Sequence, residues 1–551
     1  MRRRDFFALP MLAFGSSSEA PFVFTDIAAK AGITAPVVYG NPDKKKYILE
    51  TNGCGIAFFD YDHDGWLDIF VPGGSQLSGA PPRVTNRLYK NNRDGTFTDV
   101  TKKAGLERAV WTSGVCIGDY NNDGFDDLFL SCWGQNILYR NNGNGTFTDV
   151  TKAAGLLHSK PEWGAGCTFT DYNRDGFLDL FVSTYLNFDL KTVPLPGATE
   201  NCTWKGIAVN CGPRGLPTGR NFLYRNNGDG TFTDVSETSG IAKVDHRYAM
   251  TAVAADFDDD GWPDIYVACD STPSILYKNN RDGSFTDIAL ESGVAYNEDG
   301  REQAGMGVAI GDALNSGRLD IFKTHFADDT PILYSNKGNG RFEDVTAKAG
   351  FGAFTRYVGW GAGFADFDND GLLDLLFVNG NVYPEIEQFF SEYKYKNPRI
   401  LLRNLGTGVF ENVSDRCGTA ITDRHSSRGC AFGDFDNDGK VDIVIMNMGE
   451  PPSLLHNETN NTNGWLKLKL IGTKSNRSAI GARAFVSAGG RRQRQEVVSQ
   501  SSFYSQSDLR LHFGLGSATS ADVEIHWPSG LKEVYHDVKS NQILSLKEGR
   551  S

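Results

Sequence analysis

The chain has 551 residues, a formal net charge of −13 and 62 Gly residues. A chain of this length needs a modular architecture, and its acidic balance excludes a general nucleic-acid-binding role. The 12% aromatic content, together with so much Gly, favours an ordered all-β protein with many tight turns. Beyond the N-terminus, no segment is long and apolar enough to cross a membrane, so we expect no transmembrane segment. We also expect a monomeric protein.

Residues 1–20 have the pattern of an export signal. A basic start is followed by the short apolar run Phe6–Gly15 and then by small polar residues. The sequence Arg3-Arg4-Asp5-Phe6-Phe7 also resembles the twin-arginine signal of bacteria. We therefore expect a cleaved signal, with cleavage after Gly15 or Ala20, and a periplasmic, secreted or cell-surface protein. The alternative is a frayed cytosolic N-terminus.

A nine-residue acidic motif, D-x-[DN]-x-D-G-x-x-D, recurs along the chain. Six complete copies start at Asp60, Asp119, Asp171, Asp256, Asp366 and Asp434, and a degenerate copy, DALNSGRLD, starts at Asp312. A second motif of the type LYKNNRDGTFTDV follows, with copies at Leu88, Leu138, Leu223, Leu276, Leu333 and Leu401. In the seventh repeat this motif, LLHNET at Leu454, lacks its F-x-D-V half.

Each repeat can be divided into four short strands, with a hairpin tip such as Asn-Asn-Arg-Asp-Gly in the second motif. Such units predict a seven-bladed β-propeller over residues 21–457. The strand missing from the seventh repeat matches Phe22–Ile33, FVFTDIAAKAGI. We therefore predict an antiparallel pair between Phe22–Ile27 and Ser453–Asn457. Residues 458–463 form a predicted linker, and residues 464–549 a small β-rich domain.

Two insertions exceed the length of a loop. Leu186–Asn221 carries Cys202 and Cys211 in a Gly/Pro-rich stretch, which we interpret as a disulfide; two free thiols or a metal pair are the alternatives. Val382–Arg399 predicts a short helix with aromatic side chains that pack on the blade edge or face a partner. Four other cysteines are interpreted as buried small hydrophobic residues: Cys54, Cys116, Cys167 and Cys430.

The acidic motif suits a hard cation. Ca²⁺ takes six to eight oxygen ligands, and Gly at position 6 permits the sharp bend of a tight loop. Carboxylate or amide side chains at positions 1, 3, 5 and 9 and the carbonyl of position 7 supply these oxygens. The six complete loops therefore predict about six Ca²⁺ sites, with the candidate ligands Asp60, Asp62, Asp64, Trp66, Asp68, Asp119, Asn121, Asp123, Phe125, Asp127, Asp171, Asn173, Asp175, Phe177, Asp179, Asp256, Asp258, Asp260, Trp262, Asp264, Asp366, Asp368, Asp370, Leu372, Asp374, Asp434, Asp436, Asp438, Lys440 and Asp442.

The alternatives for these loops are weaker. Mg²⁺ demands near-octahedral geometry, and Zn²⁺ prefers His or Cys ligands. Acidic turns without any metal would cluster carboxylates at an electrostatic cost. The degenerate loop has Leu314 and Ser316 where acids are needed, so we expect the site at Asp312 to be empty or weak.

These motifs carry a family resemblance. The repeats resemble the FG-GAP/VCBS repeats of integrin-type propellers, and SNRSAIGARAFVSAGG, SQSDLRLHFGLG and VEIHWPSG resemble the ASPIC/UnbV domain. Their combination resembles the bacterial homologues in the cartilage acidic protein family. The sequence CGPRGLP in the first insertion of this chain also fits the pattern of that family. The resemblance implies a calcium-binding extracytoplasmic propeller linked to adhesion, and it supplies no catalytic residues.

The sequence contains no catalytic motif of the type G-x-S-x-G, H-E-x-x-H or a P-loop. We interpret His63, His512 and His526 as surface or packing residues. The Arg491–Arg494 cluster is a solvated strand or a local docking patch. The leading hypothesis is an adhesion or ligand-binding module for a protein or glycan. The alternatives are a lectin-like carbohydrate binder and an enzyme or accessory factor that acts on a small organic molecule in secondary metabolism.

Overall fold

The computed structural model describes residues 20–77 and 84–550, so the predicted export signal lies outside the described residues except for Ala20. Residues 24–457 of the described chain form seven units of four antiparallel strands, and a pair between Glu162–Thr170 and Asp127–Gly134 joins units 2 and 3 into one eight-stranded sheet. Unit 1 is Ala57–Phe59, Asp68–Val71, Arg87–Asn91 and Phe97–Asp99; unit 2 is Trp111–Gly118, Asp127–Gly134, Ile137–Asn141 and Phe147–Asp149; unit 3 is Glu162–Thr170, Asp179–Thr184, Phe222–Asn226 and Phe232–Asp234. Unit 4 is Ala249–Ala255, Asp264–Cys269, Ile275–Asn279 and Phe285–Asp287; unit 5 is Val308–Gly311, Asp320–Lys323, Ile332–Gly338 and Arg341–Asp344. Unit 6 is Gly359–Ala365, Asp374–Asn379, Ile400–Asn404 and Phe410–Asn412; unit 7 is Ser427–Gly433, Asp442–Asn447, Ser453–Asn457 and Phe24–Asp26.

Helices are few and short in the described chain. The α-helices are Ala289–Ser292, Thr346–Ala349 and Thr419–Thr422. The 3₁₀ turns are Ile48–Glu50, Glu200–Cys202, Ile241–Lys243, Phe351–Ala353, Pro384–Gln388 and Ser414–Arg416. None of the described residues belongs to a helix with the length and hydropathy needed to cross a bilayer. The all-β fold class predicted from the repeats is confirmed.

The units close into a ring. The first strand of each unit contacts the first strand of the next, and that of unit 7 contacts that of unit 1. The Asn that ends the third strand of each unit donates its side-chain N–H to a backbone carbonyl in the preceding unit's acidic loop. These donors are Asn141, Asn226, Asn279, Asn336, Asn404 and Asn457, and Asn91 of unit 1 reaches Phe435 of unit 7. One repeated polar residue therefore ties every unit to its neighbour.

The N-terminal strand completes unit 7, which confirms the predicted pairing. Phe24, Thr25 and Asp26 lie antiparallel to Asn457, His456 and Leu455. The observed strand, Phe24–Asp26, is shorter than the predicted Phe22–Ile27. The Phe24 side chain is buried and meets Phe367 of unit 6 edge-on, with ring centroids 5.3 Å apart. The pair covers a sheet edge that would otherwise expose unpaired backbone groups.

The C-terminal part is a sandwich of two sheets. One sheet is Gly464–Ile471, Leu511–Gly516 and Gln542–Lys547, with a parallel pair between the first and last strands. The other is Arg483–Ala488, Arg491–Glu496, Ser520–His526 and Lys532–Lys539. Its apolar core continues without a break into residues of units 2 and 3. This region is therefore packed onto the ring.

Residues 498–508 of the C-terminal region form a plug in the centre of the ring. Their backbone bonds the inner strands of four units: Tyr504 accepts from Val115, Ser502 exchanges two bonds with Val308, Gln506 exchanges two with unit 1, and Asp508 donates to Phe432. Side chains of Gln500 and Ser502 accept backbone N–H groups of units 3 and 6. The inner-strand glycines permit this approach, since a β-carbon on Gly55 would lie 1.8 Å from the Tyr504 carbonyl oxygen.

The two insertions meet on one side of the ring. Trp204 lies in the first insertion, in the short hairpin Thr203–Trp204/Ile207–Ala208. Its ring contacts Tyr383, Phe390 and Tyr393 of the second insertion, at centroid distances of 5.9, 6.0 and 5.0 Å. Cys202 and Cys211 are joined by a disulfide in the first insertion. Cys54, Cys116, Cys167 and Cys430 are buried free thiols.

Candidate metal centres

The seven acidic loops share one backbone conformation. Positions 4 and 6 of the motif both lie in the left-handed region, for example at φ 64° for Asp259 and φ 88° for Gly261 in unit 4. Gly at position 6 adopts this conformation without strain, and Asn or Asp tolerates it at position 4. The degenerate loop keeps the same bends, with φ 53° at Asn315 and 76° at Gly317. The turn geometry therefore does not depend on the acidic side chains that vary.

Positions 1 and 9 hold the loop backbone. In unit 4, Asp256 accepts the N–H groups of positions 5 and 6 at 3.0 and 2.9 Å, and Asp264 accepts the N–H of Asn279 at 2.8 Å. In unit 5, Asp312 accepts from Ser316 and Gly317, and Asp320 accepts from Asn336 at 2.9 Å. The other five units repeat these bonds.

Position 5 has a smaller backbone task. Its carboxylate accepts the N–H of position 7, as Asp260 does from Trp262 at 2.8 Å. In the degenerate loop the Ser316 hydroxyl oxygen accepts the equivalent bond, which the Arg318 backbone N–H donates at 3.3 Å. A serine therefore substitutes for the structural role of the acid at position 5.

Position 3 of units 1 and 4 is an acid that accepts no backbone N–H among the described residues, whereas Asp436 of unit 7 accepts the N–H of Asp438 at 3.4 Å. Asp62 and Asp258 each have one buried carboxylate oxygen, Oδ1, with no hydrogen-bond partner among the described residues. The second oxygen of Asp258 lies 2.6 Å from Lys278, and that of Asp62 contacts Lys90. A buried carboxylate oxygen without a partner is costly, and a bound cation would remove this cost.

Three carboxylates converge in four loops, each contributing an oxygen within 4.8 Å of the others. The groups are Asp60, Asp62 and Asp68; Asp256, Asp258 and Asp260; Asp366, Asp368 and Asp374; and Asp434, Asp436 and Asp442. In units 2 and 3, position 3 is an amide, and Asn121 and Asn173 donate to the position-5 carboxylates at 2.9 and 2.8 Å. Asp179 of unit 3 also has a buried carboxylate oxygen without a partner.

Burial and mutual repulsion disfavour the charged forms of the carboxyl groups in these loops. Burial raises the pKa of Asp119 and of Asp171 to about 7 in each case. Burial, with the neighbouring carboxylates adding to it, raises the pKa of Asp374 well above the usual range. A nearby cation favours the charged forms and removes this penalty.

A basic side chain on the third strand of the unit faces several of these loops. Lys90 bonds Asp62 and Asp64, Lys278 bonds Asp258 and Asp260, and Arg403 lies 3.1 Å from Asp368. His456 lies 3.1 Å from Asp436 in unit 7. The equivalent residue of unit 5 is Ser335, beside a loop that lacks the position-3 acid. Unit 5 is the one unit that lacks both, because units 2 and 3, with an amide at position 3, keep Arg140 and Arg225 at this place on the third strand.

The C-terminal sandwich also reaches the position-1 carboxylates. The buried Lys467 Nζ lies 2.7 Å from Asp434 Oδ2, and Arg483 bonds Asp256. Lys469 lies 3.9 Å from Asp60. Repeat patterns did not predict these contacts: Arg483 and Asp256 are 227 residues apart in sequence, and Lys467 and Asp434, 33 residues apart, belong to different predicted domains. The acidic loops and the interface between the ring and the sandwich are consequently one electrostatic system.

The donor sets fit a hard cation. In four of the six complete loops three carboxylates converge, and within the nine residues of all six loops His63 is the one His or Cys. The Oδ1 atoms of Asp62 and Asp258, which have no hydrogen-bond partner among the described residues, fit a positively charged ligand.

The chain is similar to known proteins over most of its length. The profile of the FG-GAP-like repeat matches residues 60–130, 119–182, 211–267, 256–323, 312–377 and 389–445, and the ASPIC and UnbV profile matches 472–551. Cartilage acidic protein 1 of Mus musculus is 25% identical, covering 97% of this chain and 78% of that protein; the Homo sapiens protein is 24% identical, covering 97% and 76%. A solved Agrocybe aegerita lectin, described as recognising non-reducing terminal N-acetylglucosamine, is 16% identical with a TM-score of 0.37, covering 66% of this chain and 82% of that one.

Proposed function

Because the chain belongs to the family of FG-GAP-like repeat proteins and carries an ASPIC and UnbV domain, we propose that it is an extracytoplasmic calcium-binding propeller. In this proposal it serves as an adhesion or ligand-binding module for a protein or glycan. The six complete acidic loops hold calcium, and the degenerate loop at Asp312 does not.

One observation carries the calcium proposal: the position-3 carboxylates of units 1 and 4 each have a buried oxygen without a hydrogen-bond partner among the described residues. Asp62 and Asp258 accept no backbone N–H there that would explain their presence. In the degenerate loop, where Leu314 replaces this acid, the turn keeps its backbone bonds. This difference supports a ligand-binding role for the acids at position 3 of units 1 and 4.

Calcium would supply positive charge and accept oxygen ligands at each loop. In unit 4 the side chains of Asp256, Asp258, Asp260 and Asp264 would hold it, with the Trp262 carbonyl as the predicted fifth protein ligand. Lys278 then competes with the ion for the same oxygens, because its ammonium group lies 2.6 Å from Asp258. The position-1 carboxylates also bond the sandwich, so loading of the loops and docking of the sandwich are thermodynamically linked.

Calcium titration tests this proposal. Metal analysis after gel filtration in calcium should give about six ions per chain. Excess chelator should lower the melting temperature, since a ligand bound only to the folded state contributes about 1.4 kcal/mol per site at tenfold excess over its dissociation constant. An unchanged melting curve in chelator would refute the structural role of calcium.

The ligand-binding role needs a separate measurement. Glycan and protein arrays probed with and without calcium should show a saturable ligand whose binding is lost in chelator at a temperature where the chain stays folded. A protein that binds calcium but no array component in either condition would contradict the adhesion or ligand-binding module.

Export is supported by the N-terminal pattern of residues 1–20 and by the Cys202–Cys211 disulfide, because such bonds persist in oxidising compartments. Mass spectrometry of a non-reduced digest of protein recovered from its native compartment should find this pair linked. Two alkylatable thiols at these positions would argue against export.

A further inference from the structure

A cleft lies between the degenerate loop of unit 5 and the edge of the C-terminal sandwich. It measures about 470 Å³, within the usual size of a small-molecule site. Its walls include the loop tip Asn315–Gly317 and the basic strand segment Arg491–Arg494. Three arginines and no carboxylate line it, although the whole chain has a net charge of −13.

The three arginines have different tasks. Arg494 is buried, lies 2.6 Å from Asp259 and reaches the Gly317 carbonyl at 3.4 Å, so it fixes the strand to the loop. Arg491 is exposed and donates to the backbone carbonyl of Asp370 at 3.0 Å, with no carboxylate partner among the described residues. Arg492 is paired with Glu524 at 2.7 Å but remains 55% exposed.

Three acids lie near this cleft but do not line it. Asp259 is already paired with Arg494, and Glu524 with Arg492. The Asp370 carboxylate lies 3.7 Å from Arg403, accepts the Leu372 N–H and is close enough to Arg491 for the two charges to attract. At the loop itself, Leu314 and Ser316 stand where every complete loop has side chains with ligand oxygens. The cleft lining therefore contains the guanidinium groups of Arg491 and Arg492 and no carboxylate.

We propose that this cleft binds an oxyanion group, a carboxylate, sulfate or phosphate, carried by a small ligand. Arg491 and Arg492 contact the anion, since guanidinium groups bond such oxygens in a fixed fork geometry. Arg494 is a positioning residue. The fifth unit has thus exchanged a cation loop for an anion cleft. The inference names a ligand class for the proposed binding role and rests on that role, but it does not require calcium at any loop.

Equilibrium dialysis with radiolabelled inorganic sulfate, inorganic phosphate and glucuronate tests the proposal and separates the three sources. Full-length protein at low ionic strength should bind at least one of them saturably, with one site per chain. Arg491→Gln and Arg492→Gln should each weaken binding about tenfold or more, because a charge-assisted contact is lost. Arg220→Gln removes the same charge from an exposed arginine paired with Asp234 elsewhere on the ring, and it should leave binding unchanged.

Ser316→Asp provides an independent arm, since it returns a carboxylate to the cleft wall without touching an arginine. It should abolish anion binding, while melting temperature and calcium content in parallel samples show that the ring is intact. No saturable binding of any probe would overturn the proposal, as would binding that Arg491→Gln, Arg492→Gln and Ser316→Asp leave unchanged. Failure of calcium binding with intact anion binding would instead overturn only the calcium proposal.

Discussion

The acidic loops of units 4 and 5 have the same backbone and different side chains. Asp256 and Asp312 accept equivalent N–H groups, and Asp264 and Asp320 accept the same Asn N–H of the third strand. Only unit 4 has an acid at position 3 and a lysine beside it. The comparison separates the acids at positions 1 and 9, which hold the turn in both units, from Asp258 at position 3, which accepts no N–H of the described backbone and is paired with Lys278.

Removing the position-9 acid should lower the free energy of unfolding by a similar amount in units 4 and 5. Asp264→Ala and Asp320→Ala each leave a buried third-strand Asn N–H without its acceptor, which costs about 1–3 kcal/mol. Denaturant unfolding in excess chelator measures both variants without a contribution from metal. A much smaller loss for Asp320→Ala would show that the fifth loop is not held as the fourth is.

Removing the position-3 acid should separate the two units. Asp258→Ala should lower the calcium content by about one ion and the stability in calcium by about 1.4 kcal/mol at tenfold excess, because it removes the position-3 oxygens altogether. Asp258→Asn, which copies the side chain of units 2 and 3, should keep the ion. The matched variant Leu314→Ala in unit 5 should leave the calcium content unchanged. Metal analysis with melting curves measures these quantities, and an unchanged ion count in Asp258→Ala would contradict the assignment.

The neighbouring lysine should act as a competitor for calcium. Lys278→Met removes an ammonium group that bonds Asp258 and Asp260, so calcium affinity at unit 4 should rise about fivefold, equivalent to about 1 kcal/mol for a partly exposed ion pair. Ser335→Met is the control in unit 5 and should have no effect. Isothermal titration at low ionic strength compares the two, and weaker calcium binding in Lys278→Met would refute the competition.

The smallest effect is expected from rebuilding the fifth loop. The double variant Leu314→Asp, Ser316→Asp adds two acids to Asp312 and Asp320, so that positions 1, 3, 5 and 9 are all Asp. One additional, weak calcium ion should appear, with a stability gain below about 1 kcal/mol because Arg494 stays close to the loop, at the Gly317 carbonyl. Metal analysis of this variant against the wild type checks the count, and an unchanged count would show that side chains alone do not define the site.

The repeats allowed much of the ring to be predicted. Two anomalies far apart in the chain, a truncated last repeat and an extra strand at Phe22–Ile27, predicted the closing pair because each lacked a partner. Strand ends differed by one or two residues, as at Phe24–Asp26 against the predicted Phe22–Ile27. The acidic loops were visible because nine-residue spacing places their side chains in one turn.

The plug could not be predicted. Residues 498–508 contain small polar side chains without strand periodicity, and their hydrogen-bond partners lie in units far away in sequence. The contact of Lys467 with Asp434 spans only 33 residues, but it joins the predicted propeller to the predicted C-terminal domain, and no local pattern pairs the two. The C-terminal region was predicted as a separate small β domain because its strand-like residue pattern reports only local structure. The burial of Ser502 and Tyr504 depends instead on the ring that surrounds them.

The most direct test is an anomalous difference map from crystals grown in calcium, with data collected at a wavelength where calcium scatters anomalously and sulfur positions serve as an internal scale. The account predicts strong peaks in the six complete loops, beside Asp62, Asn121, Asn173, Asp258, Asp368 and Asp436, and none beside Leu314. A peak of equal strength in the fifth loop, or six loops in which Lys90, Lys278 and their counterparts occupy the turn without any peak, would contradict it.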